Sequence, residues 1–251
     1  MSPPPPVLTI AGSDSSCGAG VQADLKAISA LGGYALNALT SVVSEAPGIV
    51  SMVRLLEADF VADQIRVLFE SFPIVAAKTG MLGGREQVLA VVKTWQALAP
   101  KGTALVVDPV MVATGGGKLL EDDAIESVRT QLLPLATVVT PNMDEAGVLW
   151  NRPVTNRDEM VQCAQDLAAQ FGTSILVKGG HLTGTAADVL CHQGELSWHE
   201  APRTHGVQTH GTGCTYSASI ATGLAMGLSL PQAVAQAKVY VSAAISDYYA
   251  W

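Results

Sequence analysis

Charge is scarce in this chain. Of its 251 residues only 14% are Asp, Glu, Lys or Arg, where about 25% is usual, and 49% are hydrophobic. That balance excludes a disordered chain, which needs high charge and low hydrophobicity, and points to many fully buried elements. Basic residues are the scarcer kind: 14 Lys and Arg stand against 22 Asp and Glu, a net charge of −8. A nucleic-acid binder needs a basic footprint to neutralise phosphates, so nucleic acid is not an expected partner. The four cysteines, Cys17, Cys163, Cys191 and Cys214, include no CxxC pair and read as reduced thiols of a cytoplasmic protein. Met1 to Pro6 holds four prolines and no basic segment leading an apolar one; it reads as a flexible tail, not a signal peptide. The longest uncharged run, Gly211 to Ala237, is broken by Pro231 and rich in small polar residues, unlike the roughly 20 mostly apolar residues of a membrane span.

What is present is an alternation of short apolar runs with helical patterns. Strands are expected over Val7–Ile10, Tyr34–Val43, Val50–Leu55, Ile74–Lys78, Ala104–Asp108, Thr137–Thr140 and Ile175–Lys178. Asp188–Cys191 and Leu196–His199 form an expected hairpin across Gln193-Gly194. Helices are expected over Val21–Leu31, Ala58–Ser71, Glu86–Leu98, Asp122–Leu133, Met143–Leu149, Arg157–Phe171, Gly213–Met226 and Pro231–Tyr249. In Ala58–Ser71 the apolar residues Phe60, Val61, Ile65, Leu68 and Phe69 share one face. Such alternation means βαβ units and a mostly parallel sheet covered on both faces, here as one domain over residues 1–251. Ligands of such sheets bind outside the carboxyl ends of the strands, where the informative residues of this sequence fall.

Thr209-His210-Gly211-Thr212-Gly213-Cys214 runs directly into a helix. Glycines flanking Thr212 let the backbone aim its N–H groups at one point, and the helix start adds its own. This suits a transferring phosphoryl group, with Cys214 in the first turn, where the dipole lowers a thiol pKa. Asn142 and Glu145, three residues apart after a strand, suit Mg²⁺, though on their own they read first as a helix-capping pair. Asp108 ends the buried strand ALVVD, where a charge is usually paired or at a site. Lys178 ends another strand and is placed to meet phosphate or solvent. In the first loop, Gly12 to Gly20, Gly18-Ala19-Gly20 lets a ligand approach the backbone, and Asp14 or Asp24 offers an acceptor; a plain β–α turn explains the same residues. Gly115-Gly116-Gly117-Lys118 lacks the other residues of a Walker A loop, and the first loop does not fit GxGxxG. The five histidines show no metal spacing, and His210 and the others are assigned to structure or solvent.

Taken in order, these segments resemble the ribokinase-like kinases, and among them the hydroxymethylpyrimidine/phosphomethylpyrimidine kinases of thiamin synthesis. The matching stretches are Ala11–Tyr34, Lys78–Leu82 (KTGML), Val106–Leu120, Thr140–Ala146 (TPNMDEA), Val177–His181 (VKGGH) and Thr209–Ala221 (THGTGCTYSASIA). The resemblance implies a ribokinase-like three-layer α/β/α sandwich around a mostly parallel sheet. It also implies ATP/Mg²⁺-dependent phosphorylation of a hydroxymethyl group and then of the monophosphate, by a homodimer. By the same resemblance Gly211, Thr212 and Gly213 form the anion hole, and Cys214 stands where most relatives place an Asp base. Asp108 and Glu145 organise magnesium, and Lys178, Asn142 and Thr209 meet ATP phosphates. Asp24, Met81 and the backbone near Ala19 line the pyrimidine pocket.

The sequence also departs from that pattern. Glu45 falls where the resemblance expects a pyrimidine-binding Gln, and a carboxylate accepts hydrogen bonds but cannot donate them as an amide does. Cys17 replaces a Gly, narrowing the pocket, and Gln208 replaces an Asn. Two other readings follow: a pyridoxal kinase, whose substrate also offers a hydroxymethyl on a flat ring, and a pyrimidine-binding homologue without transfer activity.

Overall fold

The apolar runs that do not alternate become central strands. The computed structural model describes residues 3–111, 120, 122–180, 182, 184–204, 206–207 and 210–248. Among them, eight strands form one sheet in the order β10-β9-β8-β7-β6-β5-β1-β2. These are β1 (Pro6–Ala11), β2 (Tyr34–Leu39), β5 (Ala76–Thr79), β6 (Ala104–Val107), β7 (Val138–Val139), β8 (Ser174–Val177), β9 (Ala186–His192) and β10 (Glu195–Ala201). Pairing is parallel from β2 through β8, and β9 pairs antiparallel with β8 and β10.

Each central strand feeds two cores. In β1, Leu8 and Ile10 join one apolar cluster and Val7 the other; in β6, Leu105 and Val107 oppose Val106; in β8, Ile175 and Val177 oppose Leu176. The first cluster lies under α2 (Ala58–Ser71), α3 (Arg85–Leu98), α5 (Met143–Trp150) and α6 (Arg157–Phe171). The second lies under α1 (Gly20–Ala30), α7 (Thr212–Ala225) and α8 (Leu230–Ser246). This is the expected three-layer α/β/α sandwich, and it explains the low charge: strands covered on both faces have no side left for water.

Four expectations change in detail. The run Tyr34–Val43 is two strands, because the chain leaves the main sheet at Thr40. Its hydroxyl donates to Met81 O at 2.7 Å, and β3 (Ser41–Ala46) then pairs only with β4 (Ile49–Leu55) in a separate antiparallel ribbon. The helix over Asp122–Leu133 is α-helical only to Ser127 (α4, Asp122–Ser127); a π-turn over Val128–Leu132 and a 3-10 turn over Leu133–Leu135 follow, where Pro134, in the first turn of the 3-10 segment, has no N–H to continue the preceding ladder. Phe60 is exposed, so the buried stripe of α2 reduces to Val61 and Ile65 with Leu68 and Phe69 packed beside them. The N-terminal tail is shorter than expected: Pro6 begins β1, and Pro5 O accepts the Tyr34 N–H at 2.9 Å.

Candidate active site

The carboxyl edge of the sheet gathers the charged residues. Asp108 follows β6, Asn142 and Glu145 open α5 after β7, and Lys178 follows β8. Lys178 Nζ donates to Asp108 Oδ1 at 2.9 Å, and an isolated parallel bridge pairs the backbones of Asn142 and Lys178. The Asp108 carboxylate is buried, and Thr140 Oγ1 and Ser217 Oγ stand 3.4 Å from its two oxygens. Burial works against the Lys178 ammonium, but Asp108 and Glu145 outweigh it and raise its pKa.

Asn142 and Glu145 fulfil the capping reading in full. Asn142 Oδ1 accepts the Glu145 N–H and Glu145 Oε2 accepts the Asn142 N–H, both at 2.9 Å, a reciprocal capping box. Glu145 is nearly fully buried. Burial, with Asp108 adding to it and Lys178 opposing, pushes its carboxyl up to about 7.

The segment before α7 packs directly on the first loop. Gly211 is left-handed, with φ +79°, and a Cβ there would overlap Gly18 O; only glycine lets the first loop and this turn touch. The Cβ position of Gly213 lies 3.3 Å from Lys178 Nζ and 3.4 Å from Asp108 Oδ2. The α7 start, the lysine and the aspartate therefore surround one space. Thr212 begins the helix. Thr209 and Gln208 lie outside the described residues, as do Gly115–Lys118, His181 and His205.

Cys214 overturns one expectation. Despite its place in the first turn of α7, its thiol is pushed up to about 11, because burial outweighs the nearby Lys78 cation and the Gly20 backbone hydrogen bond. Cys214 is half-buried and, like the other three cysteines, free.

On the opposite wall, the first loop is organised by Asp14. Its carboxylate is fully buried and accepts from Ser16 N and Oγ, Gly18 N, Ala19 N and His210 Nε2, at 2.7 to 3.0 Å. Burial alone pushes the Asp14 carboxyl up; these hydrogen bonds more than offset that and hold its pKa low. Glu45 is half-buried in β3, and its carboxylate, the Asp14 carboxylate and a His210 ring nitrogen all lie within 4.8 Å of one another. Burial and the Asp14 charge raise the Glu45 pKa. Ser15 Oγ ties the two segments by donating to Glu45 O at 2.7 Å. Met81 O meets both Gly12 N and Thr40 Oγ1, which places Met81 between loop and ribbon. Cys17 is exposed with φ +60°, the backbone region that favours glycine.

Asp24 lies on α1, which follows the first loop. It is fully buried; Lys78 Nζ donates to both its oxygens at 2.8 and 3.0 Å, and Thr9 Oγ1 donates to one of them at 2.5 Å. Its oxygens thus serve a buried ion pair and present no exposed surface to a ligand. Sequence reasoning singled out neither Lys78 nor the bridging role of His210. A lysine inside the run AAKT was the available signal for the first. Nothing in sequence spacing brings His210 to Asp14, 196 residues away.

Comparison with known proteins places the chain in a family. The model of the phosphomethylpyrimidine kinase family matches residues 14–251. The chain is 44% identical, over 97% of its length and 89% of the relative's, to a hydroxymethylpyrimidine/phosphomethylpyrimidine kinase of Streptomyces coelicolor. Among solved structures it is similar to the phosphomethylpyrimidine kinase of Clostridium difficile 630, with TM-score 0.85 and 37% identity over 96% of this chain and 99% of that one. It is also similar to an ADP complex of Bacillus subtilis pyridoxal kinase, with TM-score 0.89 and 34% identity over 98% and 93% of the two chains. A helix start flanked by glycines, facing a lysine and an aspartate at a sheet edge, is thus carried by a chain that belongs to the phosphomethylpyrimidine kinase family.

Proposed function

We propose that this protein transfers the γ-phosphoryl group of ATP to the hydroxymethyl oxygen of 4-amino-5-hydroxymethyl-2-methylpyrimidine and then to the monophosphate so formed, in thiamin biosynthesis. The observation that carries this reading is the convergence of the Gly211–Gly213 turn, Lys178 and Asp108 on one space. Donors and a cation gathered there stabilise the charge spread over a phosphoryl group in flight.

Lys178, Asn142 and Thr209 serve the ATP phosphates, and Gly211, Thr212 and Gly213 hold the transferring group. The acidic residues at the sheet edge fit a magnesium ion, which takes one or two carboxylates and keeps its waters; Asp108 Oδ2, 3.4 Å from Ser217 Oγ, faces the Gly213 turn, and Glu145 is the neighbouring carboxylate. Bound there, magnesium neutralises phosphate charge. Cys214 takes the hydroxyl proton as the new P–O bond forms. A thiol near 11 is a strong base when ionised and seldom ionised at neutral pH, so positioning carries most of the rate. Glu45, Met81 and the Ala19 backbone border the aminopyrimidine, with the Glu45 carboxylate accepting from its amine, and Asp24 supports that wall from α1.

The chain works as a homodimer in the cytoplasm. Val42, Ile49, Val50, Met52, Val53 and Leu55 of the β3–β4 ribbon are all exposed, and an apolar patch of this kind marks an association surface; a second copy is the occupant. The free thiols suit a reducing compartment. Among the described residues no helix is long and apolar enough to cross a membrane. Sedimentation of wild type and of the Ile49→Glu/Met52→Glu variant checks the assembly, a dimer being expected only for the former.

The activity test is incubation with ATP and Mg²⁺, reading phosphorylated product by mass for hydroxymethylpyrimidine, its monophosphate and pyridoxal. Product from both pyrimidines is expected. The likeness to pyridoxal kinase makes pyridoxal the second reading, and product from pyridoxal alone assigns it. Absence of product from a folded, ATP-binding protein assigns a silent binding homologue.

A further inference from the structure

Asp188 and Lys238 form a buried ion pair that the proposed chemistry does not use. Lys238 Nζ, on α8, donates to Asp188 Oδ2 at 2.7 Å. Asp188 Oδ1, on β9, accepts the backbone N–H of Gly179 at 2.9 Å. Both side chains are almost entirely shielded from water. A buried pair contributes little net stability, because desolvating two charges offsets their attraction. What the pair fixes in space is therefore the better question.

Two arms of the phosphate site meet at it. Gly179 directly follows Lys178, and a Cβ at Gly179 would overlap Ala187 O, so the turn after Lys178 lies hard against β9 beside Asp188. Tyr216, on α7 two residues after Cys214, is buried next to Asp188, whose charge raises the phenol pKa further after burial. The Tyr216 ring centre is 6.0 Å from Lys238 Nζ. The far side of the same turn is gathered by Arg203, which donates to Gly180 O and Leu182 O at 2.6 Å and to Gly184 O at 3.0 Å. Asp188 thus holds the turn that carries Lys178, and its partner Lys238 faces Tyr216 on the helix whose head forms the anion hole.

We propose that Asp188, backed by Lys238, is a positioning residue that holds Lys178 in register with the Gly211–Cys214 turn, so that both meet the same phosphate. The inference rests on reading Lys178 as a phosphate contact, and the test separates the two.

The full chain is titrated with the ATP analogue AMP-PCP in the presence of magnesium. The double substitution Asp188→Ala/Lys238→Met removes both charges, so neither is stranded in the core, and a thermal melt confirms the fold. Affinity is expected to fall about tenfold, the scale of a hydrogen bond to a charged group. In a Lys178→Met background the same double substitution is expected to cost nothing more, because groups acting through one contact do not add. Equal losses in both backgrounds, or no loss in the first, overturn the proposal. Asp188→Asn/Lys238→Met keeps an acceptor for Gly179 and should recover affinity to within about threefold of wild type; a folded variant without recovery also overturns it. If Lys178→Met alone leaves affinity unchanged, the phosphate role of Lys178 fails first and the proposal falls with it.

Discussion

His210 Nε2 and Asp14 Oδ2 lie 2.9 Å apart, joining the residue just before the Gly211–Gly213 turn to the carboxylate that organises the first loop. Asp14 also holds the N–H groups of Gly18 and Ala19, so one carboxylate sets the backbone on both sides of the Gly18–Gly211 approach.

Replacing His210 with Ala should therefore weaken turnover with the hydroxymethyl substrate by about tenfold, through loop misplacement. Because the folded-state pKa of Asp14 is depressed, its contribution to stability is present above its unfolded value, about 4, and lost as pH falls through the folded value. Melting temperatures measured from pH 6 down to 3 should fall less steeply in Asp14→Asn than in wild type.

Cys214 should be mostly thiol at pH 7, with about one molecule in ten thousand ionised for a group near 11. Alkylation by iodoacetamide, read by peptide mass, should find exposed Cys17 first and should speed up at Cys214 about tenfold per pH unit between 7 and 10. Cys214→Ala should lower kcat at least about a hundredfold, the scale of losing a general base, with nucleotide affinity nearly unchanged. Equal losses in both would make the residue structural.

Lys78→Met should cost about 3–5 kcal/mol in urea unfolding, because it strands the buried Asp24 carboxylate. Lys78→Met/Asp24→Leu should recover most of that stability. A single variant as stable as wild type would contradict the buried pair.

Glu145 is held up at about 7 by burial, above its ordinary value near 4.5. A carboxyl raised in the folded state binds its proton more tightly there. It therefore adds stability that is complete below about 4.5 and lost as pH rises through about 7. In magnesium-free buffer, wild type should lose melting temperature between pH 5 and 8, and Glu145→Gln, which keeps the capping box, should lose less.

Much of this was written in the chain. The boundaries of Ala58–Ser71 and Arg157–Phe171 follow from apolar periodicity and caps, and the motif residues that end strands do stand along one sheet edge, because parallel strands all point the same way. Three things were not legible. The departure at Thr40 depends on a hydroxyl reaching Met81 O across sequence distance. The rise of the Cys214 pKa depends on burial by packed neighbours, which a dipole argument on one helix omits. The Asp24–Lys78 and Asp188–Lys238 pairs join residues 54 and 50 positions apart, where spacing carries no signal.

The backbone bridge between Asn142 and Lys178, reinforced by the Lys178 N–H on Pro141 O at 2.8 Å, has a mechanical side. It makes the Asn142–Lys178 wall an extension of the main sheet, so that its two polar ends cannot shift independently. The opposite wall hangs from a ribbon outside that sheet, tied back through Thr40, Ser13 and Ser15. The two walls are accordingly braced in different ways, one by pairing continuous with the main sheet and the other by hydrogen bonds to a ribbon outside it.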